Sequence, residues 1–143
     1  MKLSLSSTYT RPEAHCNRAA MYQATVVEGV DELPFVVAEL GISTSGRPLM
    51  VMVSGDGNPQ NSSTWLRLRI FRDIGSGYVA MSSEVQLEAN NANENVPYTL
   101  HFLDTGIASL TGTYVTYALC VTTVYGTWQF GESEGPDISI FEI

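Results

Sequence analysis

The chain has 143 residues, a net charge of −8 and one lysine, Lys2. Binding to duplex nucleic acid or an anionic membrane relies on clustered Lys and Arg, so both are excluded as expected partners. The length fits one domain with a substantial core, and the 15% of charged residues, against about 25% in ordinary domains, suits a β-protein whose surface is partly used in assembly.

Helical periodicity is nearly absent, and short alternating runs between turn residues predict an all-β fold. The opening "MKLSLSSTYTRPEAHC" has no continuous apolar core. No stretch approaches the roughly 18 apolar residues of a membrane span, so neither signal peptide nor span is expected. Residues 1–19 are read as an irregular arm and 20–143 as the domain. Strands are expected at 20–29, 35–43 and 47–55, with Val36, Ala38, Leu40 and Ile42 on one face of the second. The run from Leu49 to Val53 is apolar on both faces, as in a covered central strand. The Gly, Asp, Asn and Pro density of 54–63 reads as an exposed connection.

Farther along, 64–73 sets Leu66, Leu68 and Ile70 against Trp65, Arg67, Arg69 and Phe71. Residues 77–89 read as a strand broken at Ser82-Ser83. An Asn-rich loop, 90–97, leads into 98–104, where Tyr98, Leu100 and Phe102 share a face. The run 113–126 sets Val115, Tyr117, Leu119 and Val121 against Tyr114, Thr116, Ala118 and Cys120. After the short 127–131, the closing "DISIFEI" carries apolar residues on both faces. A second sheet is expected over one face and another subunit over the other. Eight or nine such strands give a single-domain antiparallel β-sandwich or jelly roll, in which first and last strands are commonly neighbours.

Chemistry-bearing patterns are sparse. His15-Cys16 has only His101 and Cys120 for company, without the paired spacings of a zinc site. A disulfide between the two cysteines is left open. The acidic turn Glu132, Glu134 and Asp137 lacks the ordered ligand positions of a calcium loop, and "SGDG" lacks the phosphate-loop lysine. There is no Gly-x-Ser-x-Gly elbow, although Asp73, Asp104 and Glu88 could converge in space. No enzyme activity, cofactor or metal is expected.

The segments "SGRPLMVMVSGDG", "STWLRLRIFRD", "VPYTLHFLDT", "GTYVTYALCVTT" and "GTWQFGESEGPDISIFEI" together resemble the small jelly-roll modules of tailed-bacteriophage virions, related in fold to tumour-necrosis-factor-like jelly rolls. The resemblance spans roughly residues 35–143 and rests on the order of Gly46-Arg47-Pro48, Arg72-Asp73 and Ile140, Glu142 and Ile143. It implies a virion structural protein that associates with itself, commonly as a homotrimer, and with the major capsid protein or another virion protein. The short segment before the first strand favours a capsid decoration protein over a head carried on a long shaft. The alternative is a tail or fibre head that binds a host receptor or carbohydrate; an esterase or glycosidase acting on that carbohydrate ranks third. Enrichment of aromatics and Arg in interface cores nominates Trp65, Arg67, Phe71, Tyr98, Phe102, Phe141 and Ile143 for the oligomer interface. Leu3, Leu5, Tyr9 and Arg11 are nominated for anchoring to the particle.

Overall fold

The computed structural model describes residues 14–18, 24–131 and 135–143, and for 14–18 the strand pairing alone. Leu3, Leu5, Tyr9 and Arg11, with the acidic pair Glu132 and Glu134, lie outside the described residues. Eleven strands are described: β1 (Ala14–Arg18), β2 (Ala24–Val27), β3 (Phe35–Ser43), β4 (Leu49–Pro59), β5 (Thr64–Asp73), β6 (Tyr78–Ala80), β7 (Val85–Ala89), β8 (Val96–Asp104), β9 (Tyr114–Tyr125), β10 (Thr127–Phe130) and β11 (Asp137–Glu142). One 3-10 turn, Ala108–Leu110, separates β8 from β9.

The strands form two antiparallel sheets. In the first, β4 pairs β8 on one side and both β10 and β11 on the other, and β2 and β1 pair β10 and β11 in turn. In the second, β9 lies between β3 and β5, and β5 also pairs β6 and β7. Counting β1 with β2, β6 with β7 and β10 with β11 as interrupted strands leaves four positions per sheet, the arrangement of a jelly roll. The closing strand is therefore interior to its sheet, between β1 and β4.

The core fills the space between the sheets. Leu49, Val51, Val53, Ile138 and Ile140 of the first sheet meet Leu66, Leu68, Ile70, Leu119 and Val121 of the second, all buried. Burying each such side chain is worth about 1.5–3 kcal/mol. Trp128 and Phe130 of β10 are fully buried, and Tyr98 meets Phe130 edge-on at 6.1 Å.

Several expectations are corrected. Ala14–Arg18, assigned to the irregular arm, forms β1 against β11. Residues 56–59, expected only in a loop, continue β4, where Gly57 lets the Trp128 ring lie over the backbone: a Cβ there would stand 3.1 Å from that ring. A register shift between Val36 and Ala38 turns Val36 outward while Ala38 and Ile42 stay buried, as a β-bulge does. Among the described residues none covers the outer face of β4 at Met52, which is 42% exposed. Cys120 is a free, buried thiol packed with Phe71 and Ala118 on the outer face of the second sheet, whereas the strand of Cys16 belongs to the first.

Gly135 shows how tightly the entry to β11 is built. It has φ +67, and a Cβ would lie 2.7 Å from the Ser54 carbonyl oxygen and 2.9 Å from Gly55 Cα, backbone atoms that cannot rotate away. Gly135→Ala is expected to lower unfolding free energy by about 1–3 kcal/mol, read as a lower midpoint in urea.

Burial also sets a pH limit. Desolvation pushes the Cys120 thiol up to about 12 and, as the leading cause, raises the phenols of Tyr78, Tyr98 and Tyr117. The unfolded chain releases these protons at lower pH than the folded one. The stability they contribute is thus complete below the unfolded values and is lost as pH rises from about 9 through the folded ones. Urea midpoints should fall steadily from pH 9 to 11; a flat profile would contradict this burial.

Candidate functional site

The first sheet carries an unusual outer face. An antiparallel sheet with one face in water normally alternates apolar and polar residues. Here Met50 stands opposite Leu103 on one side and Phe141 on the other, and Met52 stands opposite His101 and Ser139. Directly opposed residues share a face, so these form two lateral rows across three strands. Ile143 continues the patch, with its amide donating to the Pro48 carbonyl at 2.9 Å. Met52, Leu103 and Ile143 are 42%, 45% and 56% exposed. Singly exposed apolar residues are ordinary; a contiguous group on one face marks a surface to be covered. Along the strands the face then turns polar, through Thr99, Ser54 and Asp137, to Asn58 and Gln129.

The nominated interface residues do not share one surface. Phe141 and Ile143 belong to the patch just described. Tyr98 is a correction: it is 4% exposed and lies in the core, so it is not available to a partner. Phe102 also points inward and packs on the core. Phe71 is 8% exposed because β6 folds back along β5 and lays Tyr78 and Ala80 against it. Trp65 and Arg67 are on the outer face of the second sheet, where Trp65 stacks on Tyr125 (6.2 Å between centroids, 9° between planes). The Arg67 guanidinium sits 5.2 Å over the Trp65 ring, and its Nε donates to Gln86 Oε1 at 3.0 Å. Enrichment of aromatics and Arg does not point to Met50, Met52 and Leu103. Their signal was present, as the two-faced apolar run in β4.

The carboxylates of the hydrolase reading are each engaged in structural contacts. Asp104, 1% exposed, accepts from Arg72 Nη1 at 2.7 Å, Tyr117 Oη at 2.6 Å and Gly106 N at 3.0 Å. Asp73 Oδ1 accepts from the amides of Gly75 and Gly77 and shapes the turn to β6. Glu88 accepts from Gln86 Nε2. Among the described residues no group of three or more His, Cys, Asp and Glu could hold a metal ion, and no helix is long and apolar enough to cross a membrane. A cleft of about 370 Å³ follows β8 along 99–103, walled opposite by 81–83 and Val85.

This topology defines a jelly roll, and solved structures share it. The chain aligns over 99% of its length with the VP2 subviral particle of infectious bursal disease virus (TM-score 0.57, 11% identity) and with T=1 particles derived from that virus (0.58, 12%). It spans only 37% and 36% of those viral chains. It also aligns with Eiger TNF from S. frugiperda (TM-score 0.53, 9% identity), covering 94% of each chain. At these identities the likeness shows the fold alone. No family model matches the sequence, and no curated protein matches it.

Proposed function

We propose that this chain is a non-enzymatic structural protein of a bacteriophage virion, a capsid decoration protein that assembles as a homo-oligomer on the particle. The observation that carries the proposal is the exposed apolar end of the first sheet, Met50, Met52, Leu103, Phe141 and Ile143, which a further copy of the chain would cover. A homotrimer is the arrangement that the sequence resemblance supplies, and the major capsid protein is the surface on which it would sit. The likeness to particle-forming viral chains supports a virion setting, and the bacteriophage assignment rests on the motifs at 46–48, 72–73 and 140–143. Engagement of Asp73 and Asp104 in structural contacts supports a role without catalysis.

Co-sedimentation tests the reading. Purified protein mixed with particles stripped of it should pellet at a fixed stoichiometry to the major capsid protein. Protein that stays in the supernatant at every concentration would refute decoration.

A further inference from the structure

The polar end of the same sheet face holds a cavity of about 200 Å³ lined by five amide side chains: Asn58, Gln60, Asn93, Asn95 and Gln129. Its construction follows from the strand register. Gln129 stands opposite Asn58, and pairing of Gly57 with Val96 brings Asn95 to the other side, so three amides form one row across β10, β4 and the entry to β8. Asn58 is only 5% exposed and forms the floor, while Asn93 and Asn95 are exposed at the rim. Asn58 Nδ2 donates to the Glu94 carbonyl and to Asn95 Oδ1, which fixes the orientation of the amide. Its Oδ1 then has no hydrogen-bond partner among the described residues although buried. Gln60 Nε2 donates to the Asn58 carbonyl, and Asn93 N donates to the Pro59 carbonyl, holding the rim over the floor.

We infer that this cup binds a neutral sugar ring. Primary amides each present two donors and an acceptor, the complement of adjacent hydroxyls, which both donate and accept. Among the described residues no Lys or Arg lines the cup to hold an anion, no carboxylate lines it to hold a hard cation, and no apolar side chain lines it to hold a hydrocarbon. Pockets for drug-sized ligands run to roughly 300–1,000 Å³, so this volume suits a single ring. The Oδ1 of Asn58 lacks a donor and is closed to solvent as the cup stands; a sugar hydroxyl supplies that donor once the exposed side chain of Asn95, which abuts Asn58, turns aside. The site is separate from the apolar patch: Asn58 lies six positions beyond Met52 on β4, about 20 Å along a strand. The inference does not depend on the virion reading.

The test is titration of the full-length, ¹⁵N-labelled protein with glucose, galactose, mannose, N-acetylglucosamine and neutral oligosaccharides, following side-chain amide signals. At least one should shift the signals of Asn58, Asn95 and Gln129 saturably. Gln129→Ala and Asn93→Ala remove side chains outside the core, and backbone amide signals verify the fold. Each should weaken binding about fivefold or more, the net worth of one hydrogen bond. Saturation by a monosaccharide assigns a self-contained ring site, and response to oligosaccharides alone assigns a chain end; both support the inference. No response at tens of millimolar sugar, or shifts undiminished in both variants, would overturn it.

Discussion

Arg72→Ala lowers the unfolding free energy by about 3–5 kcal/mol, the cost of leaving a buried carboxylate without its ion-pair partner. Asp104 is 1% exposed and Arg72 is the cation bonded to it, at 2.7 Å. Asp104→Ala should be as harmful, because it strands the Arg72 guanidinium and also removes the acceptor of the Tyr117 hydroxyl and the Gly106 amide. Replacing both members together with apolar residues should cost less than the two single losses combined, since neither charge remains to be stabilised. Urea unfolding of the two single variants and the double variant measures this directly. Equal additivity would mean that the pair is not energetically coupled.

The second large effect concerns assembly. Met52→Glu combined with Leu103→Glu places two carboxylates on adjacent strands in the middle of the apolar patch. Self-association should weaken by at least about 30-fold, or about 2 kcal/mol. Folding stability should change little, because both side chains already face solvent in the single chain. Trp65→Ala, on the opposite sheet, should leave association unaltered. Sedimentation velocity across a concentration series distinguishes the outcomes. An oligomer that survives the double substitution and dissociates with Trp65→Ala would move the interface to the second sheet.

Much of the fold was legible. β3 and β5 occupy the expected residues, because each is a long alternating run bounded by turn residues. The order of faces in β5 also held: Leu66, Leu68 and Ile70 are fully buried. Legibility failed where a residue's surroundings come from distant chain. The Gly-rich stretch 54–59 reads locally as a loop, and only its pairing with β8 and β10 makes it a strand. Alternation placed Tyr98, Leu100 and Phe102 together, yet could not say that this face points inward, since Thr99, His101 and Leu103 are hardly a stronger polar face. Phe71 resembles an exposed aromatic until β6 covers it.

The candidate surfaces were legible only in fragments. Apolar character on both faces of Leu49–Val53 signalled an unusual strand, but the patch needs Leu103 and Phe141 brought beside it by register. The amide cup draws on β4, the 90–95 connection and β10. Nothing in sequence spacing announces that Asn58 and Gln129 meet.

Whether this protein sits on a capsid as an oligomer is decided by electron microscopy of intact virions labelled with Fab fragments against it. Label is expected over the head in a regular array at sites set by the capsid lattice. Label restricted to the tail, or purified virions that carry none, would contradict it.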